Sequence, residues 1–228
     1  MKCQLPKKTS SRKYFFNEAI FDRINNPEKA YWLGFLMGDG SIVNHNLVIE
    51  LSNSDIDQME KLILFFNGNN SVKETRKNCS YICFTSEYLI RSLSKYGIVP
   101  RKTYNRVKTP KMSPKYLRHF YRGLYDSDGW ITEHKLKNTN KPQYEFGFSS
   151  YYPDILVEIQ SFLIQQGCKS GGSLRTRICD NHQVSQLIIG GNSNFIKIYD
   201  TFYKNATIYL ERKYQKSTEF YNTIRSPV

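Results

Sequence analysis

The chain has 228 residues and carries 33 lysines and arginines against 20 aspartates and glutamates, a formal net charge of +13. This length allows one large domain or two of about 100 residues, each with its own core. The excess of positive charge indicates a polyanionic partner, with nucleic acid favoured over a membrane surface. There is no apolar run of about 18 residues, so we expect no membrane span and a protein that works inside the cell.

Metal-ligand spacing is absent from the cysteines and histidines. The five cysteines lack a Cys-x-x-Cys pair and the four histidines are scattered. We therefore expect reduced, structural cysteines and no zinc site.

Basic residues are concentrated at two places. Residues 1–13 hold five basic residues and no acid, which predicts a flexible basic leader. Between Lys95 and Arg118 there are eight basic residues, three prolines and no acid. This stretch predicts a linker at 108–116 between an N-terminal unit at 14–107 and a C-terminal unit at 117–228.

The first unit is predicted to alternate helices with hairpins. Asn26, Pro27 and Glu28 read as an N-cap, a first-turn proline and a first-turn acid, and the helix that they start should run to Asp39. The further predicted elements are strands at 41–43 and 47–52, a helix from 54 or 55 to 66, strands at 72–77 and 81–85, and a helix at 86–96.

The second unit repeats this order. Its predicted elements are a helix at 117–128, strands at 130–136 and 143–149, a helix at 153–166, strands at 173–179 and 184–189, and a helix at 193–204. Each half is therefore αββαββα, and the fold class is α+β with antiparallel sheets.

Two segments at corresponding positions of the halves are nearly the same. Residues 32–40 read WLGFLMGDG and residues 121–129 read YRGLYDSDG, each an apolar helix end closed by Asp-Gly. Both have small residues at the third and seventh positions, so two helices could meet backbone to backbone along these faces. The small residues are Gly34 and Gly38 in the first copy, and Gly123 and Ser127 in the second.

Such packing would place Asp39 beside Asp128. A single Asp-Gly is also a common helix stop, because glycine tolerates the left-handed conformation that often ends a helix. Its repetition with matched small residues favours function. Two carboxylates at two helix C-termini repel each other unless a cation lies between them, and oxygen ligands favour Mg²⁺ over zinc.

These segments resemble the LAGLIDADG homing endonucleases, in the single-chain form with two motif copies. The resemblance covers almost the whole chain after the leader. It implies a pseudo-twofold fold with the motif helices at the domain interface and saddle-shaped sheets laid on DNA. It further implies site-specific cleavage of both strands of a long asymmetric target with Mg²⁺, leaving 3′ overhangs.

The resemblance also implies roles for particular residues. The penultimate motif acids, Asp39 and Asp128, would bind two or three Mg²⁺ ions, for which Mn²⁺ is a substitute, with Gly38 and Ser127 beside them. The sixth motif position is Met37 in the first copy and Asp126 in the second, a departure that is expected to be harmless. The expected catalytic residues outside the motifs are Lys102, Lys213, Asn53 and Ser150. An alternative role for the two lysines is simple contact with DNA phosphates.

Basic and polar positions along the predicted strands and linker are the candidate DNA contacts. They are Lys73, Thr75, Lys77, Arg101, Arg106, Lys108, Lys111, Gln143, Glu145, Arg175, Arg177 and Arg212.

Two other functions stay open. One is an intron RNA maturase or a non-cleaving DNA-binding protein of the same fold, although both motif acids are present. The other is a basic, non-catalytic nucleic-acid-binding module in which the Asp-Gly pairs are only helix ends. A monomer is expected in each case. The abundance of Lys, Asn, Ile and Tyr favours an AT-rich genome and hence the cytoplasm of a bacterium or phage-infected cell, or an organelle.

Overall fold

The chain folds into two halves with the same order of elements. The computed structural model describes residues 13–75, 78–102, 108–135, 142–179 and 182–226. The predicted leader, apart from residue 13, lies outside these ranges, as do the candidate DNA contacts Lys77 and Arg106. Within them the first half contains α1 (Pro27–Asp39), β1 (Gly40–Val43), β2 (Asn46–Ser52), α2 (Ile56–Phe65), β3 (Lys73–Glu74), β4 (Cys79–Thr85) and α3 (Glu87–Ser94). The second half contains α4 (Pro114–Asp128), β5 (Trp130–Lys135), β6 (Pro142–Ser150), α5 (Asp154–Gln165), β7 (Ser173–Cys179), β8 (His182–Gly190), α6 (Asn192–Phe202) and α7 (Glu211–Arg225).

Each half has one four-stranded antiparallel sheet, in the orders β1-β2-β4-β3 and β5-β6-β8-β7. Alternate side chains point to opposite faces of a strand. In β4, Ser80, Ile82 and Phe84 are buried while their neighbours face outwards. The predicted α+β class with two repeated halves is confirmed.

Three elements differ from their prediction by more than two residues at one end. α4 begins at Pro114, three residues before the expected start, and β3 is only two residues long. α7 was not predicted, although Tyr214, Ser217, Tyr221 and Ile224 have helical spacing. The second half therefore carries one helix more than the first.

α1 starts as the sequence indicates and is buried along most of its length. The Asn26 side chain accepts a hydrogen bond of 2.8 Å from the Lys29 amide, and Pro27 occupies the first helical turn. Every residue from Ala30 to Met37 is buried. A helix apolar on all sides needs protein on all sides, and α4 covers one of them.

Glycines bring α1 and α4 into backbone contact. A methyl group on Gly34 would lie 1.9 Å from the Phe120 carbonyl oxygen, and one on Gly123 would lie 1.9 Å from the Tyr31 carbonyl oxygen. Neither position has room for a side chain. The prediction that the small motif residues form the interface between the two helices is confirmed.

The motif glycines after each aspartate have a different role from the one expected of a helix stop. Gly40 has φ −72° and Gly129 has φ −83°, so neither is in the left-handed region. Each leads directly into β1 or β5. A methyl group would meet the Leu36 carbonyl oxygen at 2.6 Å in the first case and the Tyr125 ring at 2.3 Å in the second.

We expect Gly123→Ala to lower the free energy of unfolding by about 3 kcal/mol, because the helices must separate to admit the methyl group. Urea unfolding followed by circular dichroism measures the change. Gly190→Ala is the control, since its methyl group would meet only Glu145 atoms, at 3.6 Å or more. A Gly123→Ala variant as stable as the control would show that the helices can separate without cost.

Candidate metal and nucleic-acid site

The packing of α1 on α4 brings the two motif carboxylates together at adjoining helix ends. A methyl group on Gly38 would lie 2.0 Å from Ser127 Oγ and 2.8 Å from Asp128 Oδ2. The Asp128 side chain therefore lies directly against the backbone of α1, one residue before Asp39. The absence of a side chain at Gly38 is what allows this approach.

The surroundings of both carboxylates disfavour their charge. The pKa of Asp39 is raised to about 7, first by desolvation and then by the nearby charge of Asp128. Asp128 remains accessible to solvent, but the protein packed around its carboxylate raises its pKa as well. Lys102 and Lys213 act in the opposite direction on both groups.

Each helix end is held by one lysine. Lys102 Nζ donates hydrogen bonds to the carbonyl oxygens of Gly38 (2.6 Å) and Gly40 (2.5 Å) at the end of α1. Lys213 Nζ does the same at the end of α4, donating to Tyr125, Asp126 and Gly129 at 2.6 to 2.7 Å. A cation at a helix C-terminus offsets the partial negative charge there. Burial lowers the pKa of Lys102, and lowers that of Lys213 to about 8.

Asp126, at the sixth motif position, is a hydrogen-bond acceptor between the halves. It is fully buried and accepts hydrogen bonds from Tyr31 OH (2.8 Å), Tyr203 OH (2.6 Å) and the Leu210 amide (2.9 Å). Burial raises its pKa. Leu210 directly precedes α7, so Asp126 also fixes the start of the helix that carries Lys213. Sequence reasoning missed this role, and its one signal was an acid directly after the apolar pair Leu124 and Tyr125.

Arg212, a candidate DNA contact, ties α7 to the first half. Its Nε lies 3.0 Å from both oxygens of Asp55, a carboxylate with a side-chain exposure of only 6%. Lys61 adds a second tie through a 3.3 Å hydrogen bond to the Tyr209 carbonyl oxygen. Asp55 directly precedes α2. It occupies the N-cap position but makes no capping hydrogen bond, because Arg212 engages both of its oxygens.

Ser150 and Asn53, two of the expected catalytic residues, lie in different surroundings. Ser150 lines a cleft together with Asp128, Lys102 and Gly38. Asn53 is not among the residues that line it. Its side chain forms hydrogen bonds with the side chains of Asn78 and Ser80, at 3.1 and 2.8 Å, where β2 ends and β4 begins.

A second cleft lies on the other side of the motif helices, beside Lys213. It is lined by Gly129, Trp130, Ile131, Arg212, Lys213 and Lys216.

Half of the candidate DNA contacts that the structure describes lie on the outward sheet faces, away from the core. Glu145, Arg175 and Arg177 pair with Gly190, Gln186 and Val184, which places them on the outward face of the second sheet; Gln143 has the same orientation. In the first sheet Lys73 shares the outward face with Tyr81. Thr75 instead closes the β3–β4 turn by donating to the Cys79 carbonyl oxygen at 3.0 Å. Arg101, Lys108 and Lys111 are exposed at the edges of the connecting segment.

The donor groups at the helix ends fit a hard divalent cation. Two carboxylates meet there, and a cation between them would offset the repulsion between their charges. In the described ranges no group of three or more His, Cys, Asp or Glu side chains is placed to bind a metal. Carbonyl oxygens, water or a substrate phosphate would therefore complete the coordination, as is usual for Mg²⁺. The described helices include none that is long and apolar enough to cross a membrane.

The comparison with known sequences finds distant relatives. No protein-family model matches the chain. A stretch of 223 residues is 27% identical to part of the replication factor C small subunit of Methanocaldococcus jannaschii, covering 93% of this chain and 11% of that protein. An uncharacterized protein of the same organism is 27% identical over 137 residues, 55% of this chain and 47% of its own length. The chain thus spans less than half of the length of either relative.

The fold is that of solved LAGLIDADG endonucleases. The meganuclease I-AabMI bound to uncleaved DNA aligns with 88% of this chain and 90% of its own, with a TM-score of 0.60 and 14% identity. I-GzeII in complex with its DNA target aligns over 89% and 90%, with a TM-score of 0.61 and 14% identity. I-SmaMI bound to cleaved DNA aligns over 88% and 89%, with a TM-score of 0.60 and 13% identity. The chain therefore has the single-chain, two-domain LAGLIDADG homing endonuclease fold.

We expect Asp126→Asn to lower the free energy of unfolding by about 3 kcal/mol, because an amide cannot accept all three of the hydrogen bonds and leaves buried donors unpaired. Denaturant titration measures the loss. Met37→Leu at the equivalent position of α1 is the matched control, a volume-conserving change between apolar side chains. Equal stability of the two variants would argue against Asp126 as a tie between the halves.

A second prediction concerns the charge of Asp39 without metal. Its folded pKa of about 7 exceeds the ordinary value of 3.8, so the folded state binds the proton more tightly and loses stability as the pH rises through this window. In EDTA we expect Asp39→Asn to be more stable than the parent at about pH 8, and the difference to be less than half as large at about pH 5. Urea unfolding at the two pH values measures the difference.

Glu60→Gln, which removes an exposed carboxylate from α2, is the control for this experiment. Mg²⁺ should stabilise the parent at the higher pH and leave Asp39→Asn nearly unchanged. If the parent is as stable as Asp39→Asn in EDTA at the higher pH, the folded state does not disfavour the ionised form of Asp39.

Proposed function

We propose that this chain is a site-specific double-strand DNA endonuclease of the homing type, which hydrolyses phosphodiester bonds in a long asymmetric target with Mg²⁺ and leaves 3′ overhangs. The observation that carries the proposal is the pairing of Asp39 and Asp128 at adjoining helix ends, between Lys102 and Lys213. A purely structural role would not favour two carboxylates where desolvation raises both pKa values and the charge of Asp128 raises that of Asp39 further.

The chain's own residues divide the work of hydrolysis. Asp39 and Asp128 would hold the Mg²⁺ ions between them, one carboxylate from each half. Mg²⁺, when bound, supplies Lewis-acid stabilisation of the phosphoryl oxygens and lowers the pKa of bound water. Lys102 and Lys213 keep the two helix ends in place and add positive charge beside the phosphate, whose charge increases in the transition state. Ser150 in the Asp128 cleft, with Asn53 in the first half, is the proposed water-ordering group.

The two sheets are the proposed DNA-binding surfaces. Arg175 and Arg177 on the outward face of the second sheet and Lys73 on that of the first suit a phosphate backbone. Because the two halves differ in sequence, the target should be asymmetric. Three of the solved structures with this fold are described as DNA complexes, which supports double-stranded DNA as the partner. One chain supplies both carboxylates, so a monomer suffices.

We expect Asp39→Asn and Asp128→Asn each to reduce double-strand cleavage by at least about a hundredfold, because each removes a metal ligand, while specific binding changes little. The measurement is cleavage of a randomised duplex library with Mg²⁺ or EDTA, with sequencing of the cut ends. The parent should cut one long site with a constant 3′ stagger, and only with Mg²⁺. Glu60→Gln, which changes an exposed carboxylate of α2, is the control and should cut as the parent does.

Undiminished cleavage by both motif variants would overturn the assignment of the catalytic carboxylates. A parent that retains one DNA site selectively but never cuts it would identify a non-cleaving DNA-binding protein. Selective retention of an intron RNA without cutting of DNA would identify a maturase.

A further inference from the structure

An acidic side chain lies on the outward face of the second sheet, where the surface must meet the negatively charged phosphates of DNA. Glu145, in the middle of β6, has a side-chain exposure of 22%. An unpaired carboxylate there would weaken DNA binding by repulsion. Its presence on a chain with net charge +13 needs a reason other than non-specific affinity.

Two neighbours on the same face hold Glu145 in one orientation. His134 Nε2 lies 2.8 Å from Glu145 Oε1, and the Thr132 hydroxyl donates to the same oxygen at 3.1 Å. Thr132 lies directly opposite Glu145 in the β5–β6 register, and His134 lies two residues further along β5. One oxygen of the carboxylate is therefore engaged by donors from the neighbouring strand.

The second oxygen faces an open notch. Glu145 pairs on its other side with Gly190 of β8. A methyl group on Gly190 would lie 3.6 Å from Glu145 Oε2 and close to nothing else but the Glu145 Cβ. Among the described residues, Oε2 has no hydrogen-bond partner. The missing side chain leaves room above the sheet for a flat group to reach this oxygen.

The free carboxylate oxygen of Glu145 is a hydrogen-bond acceptor. In the major groove cytosine presents an amino donor, adenine presents an amino donor beside the N7 acceptor, and guanine and thymine present acceptors. Cytosine is therefore the base that offers this oxygen a donor without an acceptor beside it.

We propose that Glu145, oriented by Thr132 and His134 beside the Gly190 notch, reads the amino group of one cytosine in the DNA target. The inference rests on the proposed function and deepens it by naming specificity-determining residues of the second half. Thr132 is four residues from Asp128 along β5, and strands and B-DNA both advance about 3.4 Å per unit. The cytosine should therefore lie about four base pairs from the phosphate next to Asp128.

The equivalent position of the first half carries a different reader. By the register of the two hairpins, Asn46 corresponds to Glu145, and its side-chain oxygen accepts a 2.7 Å hydrogen bond from Thr85. An amide favours adenine where a carboxylate favours cytosine. The two halves are thus built to read different bases at matching distances from the centre.

The test is selection of a randomised duplex DNA library by the full-length protein without Mg²⁺, followed by sequencing of the retained DNA. The parent should prefer cytosine at one position by about tenfold or more. Glu145→Gln should lose that preference, because the amide nitrogen can then face the notch as a donor. Gly190→Ala should weaken it by filling the notch, and His134→Ala by freeing the carboxylate.

Two controls separate base reading from charge. Glu133→Gln removes one negative charge from β5, between Thr132 and His134. Glu133 pairs with buried Tyr144 and points to the other face of the sheet. This variant should therefore keep the cytosine preference. Arg177→Gln should weaken binding equally at all sequences.

The outcomes distinguish the inference from the proposed function. If Glu145→Gln, His134→Ala and Gly190→Ala all bind with the parent's preference at every position, the base-reading unit is wrong while sequence-specific binding stands. If the parent itself retains no preferred sequence, the proposed site-specific function is wrong and the base reading falls with it.

Discussion

Backbone contact between α1 and α4 is the constraint on which the rest of the structure depends. Gly34 and Gly123 each lie against a carbonyl of the opposite helix with no room for a methyl group. The contact continues to the ends of both helices, where Gly38 lies against Ser127 and Asp128. The two C-termini therefore lie side by side. The sheets follow from that ending, because Gly40 and Gly129 turn each helix directly into the first strand of its half. The position of the paired carboxylates and the placement of both outward sheet faces therefore have a common origin.

The site gains its chemistry at a cost in stability. Asp39 is held in surroundings that raise its pKa to about 7, which means that the folded protein disfavours the ionised form that a metal ion requires. Lys102 and Lys213 partly offset this cost by placing positive charge at the two helix ends. Natural proteins commonly retain such unfavourable groups only where function needs them. Cation binding would then stabilise the interface as well as supply reactivity.

The two halves have diverged around a common plan. Where α1 has Met37, α4 has Asp126, which accepts hydrogen bonds from Tyr31 of the first half and Tyr203 of the second. The second half also carries α7, whose Lys213 is more deeply buried than Lys102 and donates to more carbonyls. The two lysines therefore hold matching helix ends from different elements of the chain. Asymmetry of this kind suits a target whose two halves differ in sequence.

The sequence by itself determined the repeated organisation and the paired acids, because these depend on local signals. The cap at Asn26, the small residues at fixed spacing and the alternation along the strands are all properties of neighbouring residues. Only the tertiary structure decided the role of Asp126, whose partners Tyr31 and Tyr203 lie 95 and 77 residues away. It likewise decided that Asp55 pairs with Arg212 instead of capping α2, and that Glu145 faces a notch left by Gly190. Such contacts join residues distant in the chain, and their geometry exists only once the chain has folded.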